Sequence, residues 1–446
     1  MARRRPRPAR LLLAAALAAP LAAEAALRAA DRLACRAAAP PGPGFDLYAV
    51  GESTAKGEPY DRHGFSLAAL VAARLPGPVV RHELARGGQS IFPQSVALER
   101  ALRCRDPRRP GAALIYSGHN DEGRRRGASL LMRWERFLPR SRLVEAVVYR
   151  IEEKVPALRA RTLDTWSFHL RRVVAACRAA GVTPVLAVPV SDERVDPGLS
   201  EPGTDAAELA PLAEAPCGAL EGLAASAGPY RRPYLLWRRA RCAEAAGDAA
   251  SAAAFYREAR DTADNRSFGR ATTAQVAALR ALAAEEGVAL ADAQAAFAAR
   301  RGLFADAQHP NMDGYLLLAD AYARALGATA PGPKDAAAAF AAFACGADCR
   351  AEALADAGWF WLTVSVGHAA PAPRLAAARG RFTEALALAP GLYAARLGRA
   401  LAERPDLLAR PEEVARLGRL GLFFRRGEEP DESARAELAA VLGRAP

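Results

Sequence analysis

Lysine is nearly missing from this chain of 446 residues. Only Lys56, Lys154 and Lys334 are lysine, so almost all of the 61 basic side chains are arginine. Arginine alongside so much alanine reflects GC-rich coding more than function. Aromatic residues are sparse, at 7%, and no stretch interleaves them with a basic stripe, which argues against a nucleic-acid partner. The uncharged run Leu11 to Ala23 is too short for an ordinary spanning helix. With 51% hydrophobic and 25% charged residues, the composition excludes a disordered or collagen-like chain and leaves room for two or three structural units. Positions 1 to 36 hold eight arginines against Glu24 and Asp31, a net of +6 out of the whole chain's +12. The bulk is therefore only mildly basic.

What is present begins with the pattern of an export signal. Arg3, Arg4, Arg5, Arg7 and Arg10 precede the apolar run, and small residues at Ala22, Ala23 and Ala25 suit a peptidase. The helical character of the residues that follow keeps an uncleaved anchor in the cytoplasmic membrane open as well. Either way, the remainder is expected outside that membrane, periplasmic or extracellular. Cys35 lies too far from the apolar run for a lipoprotein, and Arg32 stands where an aliphatic residue is needed. Seven cysteines in an exported chain leave at least one unpaired within it. Cys217 with Cys242 and Cys345 with Cys349 are the expected bridges, and no second Cys/His pair supports zinc at the latter.

The middle of the chain alternates strand and helix. Apolar runs at Phe45 to Gly51, Pro78 to Leu84, Ala112 to Ser117, Thr183 to Val190 and Val288 to Ala293 read as strands. Helical periodicity occupies Gly64 to Leu75, Thr165 to Gly181, Val276 to Glu286 and Leu316 to Ala325. Such repetition implies right-handed crossovers and a parallel sheet between two helical layers, an α/β three-layer fold. Ligands bind such sheets beyond the carboxyl ends of the strands, and the polar clusters fall there: Ser53 after the first strand, Gly88 after the second, Asn120 after the third. A further cluster, Asp306 to Tyr315, precedes the last helix. An aspartate three residues ahead of a histidine can turn its carboxylate to the imidazole Nδ1, leaving Nε2 to take a proton from a hydroxyl. Each segment also has a plain structural reading: Ser53 as a helix cap, Asn120-Asp121 as a turn, His309-Pro310-Asn311 as a helix start.

Gly51-Glu52-Ser53, Arg86-Gly87-Gly88, Gly118-His119-Asn120-Asp121 and Asp306-Ala-Gln-His309-Pro-Asn occur in the order of the SGNH (GDSL-type) hydrolases, and the chain resembles that family over about half its length. The resemblance implies that Ser53 attacks an ester carbonyl, that His309 is base and then acid, and that Asp306 orients it. The oxyanion would be met by the backbone N–H of Ser53, the backbone N–H of Gly88 and the Asn120 side chain, with no cofactor and no metal. Glu52 departs from the family's usual Asp and bears on loop geometry more than on chemistry. His63, His82, His119, His169 and His368 read as structural or surface groups.

The expected organisation is a signal peptide or anchor over 1–30, a linker over 31–44, hydrolase parts over 45–201 and 265–330, and helical additions over 202–264 and 331–446. Ala240, Gly247, Ala252, Tyr256 and Ala259, and later Ala378, Phe382, Ala385 and Pro390, have tetratricopeptide-like spacing. So few units need neighbours, so both additions are expected to pack together or onto the sheet domain. Leu130 to Lys154 is either a mobile lid or a packed amphipathic helix. The functional expectation is an exported esterase for acetyl or short acyl groups on an ester-bearing glycan, lipid or small molecule. An acyltransferase using the same residues, or a non-catalytic scaffold recruiting a protein partner through the helices, stands as the alternative.

Overall fold

A computed structural model describes residues 8–38, 43–61, 64–121, 141–147, 162–199, 201, 204, 206–263, 270–328, 330–365, 371–408 and 431–442. Most of the Leu130 to Lys154 stretch, together with His63 and His368, lies outside them.

Five strands, β1 (Phe45–Gly51), β2 (Val79–Glu83), β3 (Gly111–Tyr116), β4 (Thr183–Ala187) and β5 (Ala289–Ala291), form one sheet in the order β2-β1-β3-β4-β5. Every pairing is parallel. β4 and β5 are shorter than their apolar runs suggest; in β4 the run continues into Pro189, which has no N–H for the ladder. The period of two sorts the sheet's side chains cleanly. Leu47, Ala49, Leu114, Tyr116 and Val185 face one layer, built from α3 (Leu67–Ala72) and a helix Met312–Ala325. Tyr48, Val50, Ala113, Ile115 and Leu186 face the other, built from α4 (Ile91–Arg103), α5 (Leu163–Ala179) and a helix Thr273–Glu285. The inner strands are buried on both faces, which is why they read as apolar runs and not as alternating ones, while the edge strand β2 is only half-buried. The expected three-layer α/β architecture is what the chain adopts. The β1-to-β2 crossover runs through α3 on one face and the β2-to-β3 crossover returns through α4 on the other, so the strand order reverses at β1 and the crevice at the carboxyl ends there is the natural place for a site.

Helix α1 (Pro8–Ala38) crosses the boundary expected at residue 30 and occupies most of the segment expected as a linker. It is tied to α4 by a Cys35–Cys104 disulfide, and its Glu24 accepts the backbone N–H groups of Arg142 and Leu143. No spacing rule in the sequence joins those two cysteines, since they meet only when α1 lies along α4. Cys217–Cys242 and Cys345–Cys349 are bridged, and Cys177 is free and buried. Among the described residues no helix is long and apolar enough to cross a membrane, and no His/Cys/Asp/Glu group has the arrangement of a metal site.

Both alanine-rich additions are helical; the first joins the loop after β4, and the second sends Ala339 and Ala353 into the core under the α3 layer. In the first, α6 (Arg232–Ala245) and α7 (Ala249–Thr262) form a hairpin whose close approach is allowed by Ala240 and Ala252, with Tyr256 filling the groove. Trp237 Nε1 donates to Arg194 O at 2.8 Å, joining this hairpin to the loop after β4. α8 and α9 are the two sheet-layer helices already given, Thr273–Glu285 and Met312–Ala325. In the C-terminal addition, α10 (Ala347–Thr363), α11 (Ala372–Leu388) and α12 (Tyr393–Ala402) enclose Phe382. Its ring fills the space over two glycines: a Cβ on Gly398 would lie 2.2 Å from it and one on Gly358 2.6 Å.

A buried ion pair fastens this unit to the post-β4 loop. Arg374 Nε donates to Asp196 Oδ2 at 3.0 Å, and its Nη2 donates to Asp196 Oδ1 at 2.6 Å. Both residues are almost completely buried. Arg374→Met removes the guanidinium that both Asp196 oxygens accept, so urea denaturation is expected to show a loss of about 3–5 kcal/mol. An unchanged midpoint would mean that the pair is solvated and idle.

Candidate active site

Ser53 is delivered by a forced turn at the end of β1. Gly51 has φ +142°, and a Cβ there would sit 1.9 Å from the Tyr116 carbonyl oxygen, so only glycine lets β1 close on β3 at this point. The chain then enters α2 (Ser53–Lys56) with Ser53 as its first residue. The backbone N–H of a first helical residue has no acceptor within its own helix, which leaves it available to an anion.

The partner loop, 303–311, is closed by its own backbone. Ala305 N donates to His309 O at 2.8 Å and Asn311 N to Leu303 O at 2.9 Å. Asn311 caps α9 by accepting the Gly314 N–H at 3.1 Å, so the helix-start reading of His309-Pro310-Asn311 is correct for Asn311 while His309 points elsewhere. Asp306 Oδ1 accepts the backbone N–H groups of Gln308 (2.9 Å) and His309 (2.8 Å), and its Oδ2 meets His309 Nδ1 at 2.6 Å. His309 Nε2 meets Ser53 Oγ at 2.6 Å. Thr54 Oγ1 donates to Gln308 O at 3.3 Å, holding the two loops together beside that contact. Ser53, His309 and Asp306, distant in sequence, are therefore in direct hydrogen-bond contact, and all three are buried.

The remaining sequence-selected residues gather around Ser53 with differing roles. Gly88 is in the left-handed region, φ +75°, in the turn after β2. Gly87 lies against the serine, since a Cβ there would be 3.7 Å from Ser53 Cβ and 2.5 Å from Glu58 Oε1. Asn120 Nδ2 donates to Gln89 O at 3.2 Å. That uses one of its two amide hydrogens to join the β3 loop to the β2 loop.

Glu52, the departure from the family pattern, fastens the β3 loop. It accepts the backbone N–H groups of Gly118 at 2.7 Å and His119 at 3.1 Å, and that of Asn120 as well. Asp121, also buried, accepts Ile91 N and the Ser117 hydroxyl. Burial, and after it the neighbouring Asp121 carboxylate, push the Glu52 carboxyl up to about 8. A proton bound more tightly in the folded chain than in the unfolded one gives stability that is full below the ordinary value of 4.5 and declines as pH rises to about 8. Glu52→Gln removes that linkage. Its melting temperature relative to wild type is expected to climb by a few degrees between about pH 5 and pH 8; a difference constant with pH would show that Glu52 is ionised throughout.

Three residues near the site carry roles that the sequence did not announce. His119 is buried and structural, as expected of it, but lies under the site. Its Nδ1 must accept, because it faces the Ala271 backbone N–H at 3.2 Å, so Nε2 carries the hydrogen toward Tyr116 Oη at 3.2 Å. Desolvation holds it neutral, down to about 3. Glu58 places Oε2 4.0 Å from His309 Nε2. Phe360, on α10, sets its ring perpendicular to the imidazole with centroids 5.2 Å apart. The cleft at His309 measures about 390 Å³ including its open mouth and is lined by both chain halves. Nothing in the spacing of motifs could have found Phe360, since it belongs to a helix outside the resemblance.

No family model matches the chain, and no curated protein matches it. Among solved structures it is similar to a member of the lipolytic protein G-D-S-L family from Veillonella parvula. The identity is 14%, the TM-score 0.31, and the match covers 63% of this chain and 97% of that one. It is likewise similar to Axe2, an acetylxylan esterase from Geobacillus stearothermophilus, at 14% identity and TM-score 0.32, over 64% of this chain and 95% of the other. The chain is an α/β three-layer protein by its own parallel sheet and helical layers, and these likenesses, at 14% identity and low superposition, add nothing to that.

Proposed function

We propose that the chain is a serine ester hydrolase acting on acetyl or other short acyl esters. The observation that carries this reading is the continuous relay Ser53 Oγ, His309 Nε2, His309 Nδ1 and Asp306 Oδ2, with both contacts at 2.6 Å. Ser53 Oγ attacks the acyl carbon while His309 Nε2 takes the hydroxyl proton, and Asp306 holds the Nδ1–H and stabilises the imidazolium. The negative charge on the tetrahedral oxygen is met by the N–H of Ser53, the N–H of Gly88 and the Asn120 amide. His309 returns the proton to the departing alcohol, leaving an acyl-serine. Water then attacks that ester with His309 again as base, which releases the acid and restores Ser53.

A small cleft suits a short acyl group, and three disulfides support an oxidising compartment, consistent with the basic and apolar N-terminus of an exported or membrane-anchored chain. Acetylated glycans of the cell envelope are the substrates we favour.

The test is p-nitrophenyl acetate turnover by the purified protein, with intact-mass detection of an acetyl group trapped on Ser53 by rapid quenching. A protein that neither turns over the ester nor acquires the adduct would refute hydrolase and transferase together and leave the scaffold. Acetyl transfer to an added sugar in preference to water would replace hydrolase with transferase.

A further inference from the structure

We infer that Glu58 holds the hydrolytic water against the acyl-serine, and that its carboxylate favours water over an alcohol as the second nucleophile. The inference rests on the reading of Ser53 and His309 as an esterase site and concerns the second half of that reaction.

The carboxyl is carried by the turn that presents the nucleophile. Glu58 N donates to Ser53 O at 3.1 Å, and Glu58 O accepts the Tyr315 hydroxyl at 2.7 Å, so its backbone is tied to the serine turn and to α9. The residue is buried, and its Oε1 packs over Gly87, where a Cβ would stand 2.5 Å away, with Lys56 Nζ 3.5 Å from the same oxygen. Oε2 lies 4.0 Å from His309 Nε2. Both residues line the cleft, together with Asp356 and Phe360 of α10. The imidazole side is braced as well: Trp361 Nε1 donates to Ala305 O at 2.9 Å, and Phe360 lies against the ring.

The distance of 4.0 Å is too long for a direct hydrogen bond and suits one intervening water. A water about 2.8 Å from each atom subtends roughly a right angle at its oxygen, near the angle between its own two O–H bonds. A carboxylate offers about four lone-pair sites over its two oxygens, so one that already has partners can still take a water. In the acyl-serine, one hydrogen of that water goes to Nε2 while its oxygen attacks the acyl carbon, and the other hydrogen is donated to Oε2. The C–Oγ bond of the tetrahedral adduct then breaks, Nε2 returns its proton to Ser53 Oγ, and the acid leaves with the water's oxygen. Glu58 neither gains nor loses a proton. An attacking simple alcohol has a single O–H hydrogen, which Nε2 must take, so it has nothing to donate to Oε2. Acylation gains no such help either, because the ester oxygen departing toward Nε2 carries no hydrogen until the imidazolium supplies one.

The experiment follows p-nitrophenyl acetate in the wild-type protein, Glu58→Gln and Glu58→Ala, reading the first release of p-nitrophenolate for acylation and the decay of the acetylated mass after rapid quenching for deacylation. Both substitutions should slow deacylation by on the order of 10- to 100-fold, alanine more than glutamine, and leave acylation within about threefold, so that acetyl-Ser53 accumulates. With methanol added, the share of acetyl passed to methanol instead of water should rise in the variants by a similar factor. A merely structural role would slow both steps together and leave that partition unmoved; either result overturns the inference, as does deacylation at the wild-type rate in both variants. If neither variant folds, the wild-type partition decides: water preferred over methanol at equal molarity supports the inference, and methanol preferred overturns it. Failure of the underlying esterase reading is distinguishable, because the wild-type protein would then neither release p-nitrophenolate nor acquire the adduct on Ser53.

Discussion

Ser53→Ala is expected to lower kcat for p-nitrophenyl acetate by at least about 10⁴-fold, with the remaining rate set by whatever the oxyanion donors and binding supply over water. The size follows from the connectivity of the site. His309 Nε2 has one hydroxyl at 2.6 Å, and removing its oxygen removes both the nucleophile and the proton that the imidazole accepts. Fold cost is small, because the alanine methyl occupies part of the serine's own space and the backbone bond from Gly57 N to Ser53 O is untouched. Far-ultraviolet circular dichroism and melting should be near wild type, and the acetyl adduct should vanish. A variant that hydrolyses the ester at the wild-type rate would locate the chemistry elsewhere.

The second large effect is Asp306→Asn, expected to cost about 10³ to 10⁴ in kcat with little change in KM. The carboxylate performs two tasks with different atoms: Oδ1 accepts two backbone N–H groups, and Oδ2 accepts the imidazole Nδ1–H. Asparagine keeps the first task through its oxygen, so the loop retains its shape. Its amide nitrogen then faces Nδ1 with hydrogens of its own, which forces Nδ1 to accept and puts the imidazole hydrogen on Nε2, pointing at Ser53. A histidine in that tautomer cannot take the serine's proton. Nuclear magnetic resonance of the imidazole nitrogens would detect the switched tautomer directly. Wild-type activity with Nδ1 still protonated would show that Asp306 only shapes the loop.

The layered fold was legible because the inner strands β1, β3 and β4 are buried on both faces and so appear as apolar runs, and the first three runs each end in a polar turn at the same edge. Ser53, Asp306 and His309 were legible through their local turns: Gly51 is required by the approach of Tyr116, and the Asp306-to-His309 spacing is what lets one carboxylate serve the loop's N–H groups and the ring together. What was not legible depends on contacts between distant segments. Cys35 reaches Cys104 only because α1 lies along α4, and the wall formed by Asp356 and Phe360 depends on how α10 docks. Arg374 looked like one arginine among many until its burial beside Asp196 distinguished it. Composition changes near residue 30, but the helix runs on to Ala38.

The bracing of the 303–311 loop has a temporal meaning. A polypeptide grows from its N-terminus, so the serine turn and the sheet are translated before the indole of Trp361 and the guanidinium of Arg381, which donate to Ala305 O and Phe304 O, have been added. The imidazole's surroundings are completed by the last-made third of the molecule, so a chain that ends before residue 331 is expected to turn over p-nitrophenyl acetate far more slowly than the full chain although it already holds Ser53, Asp306 and His309.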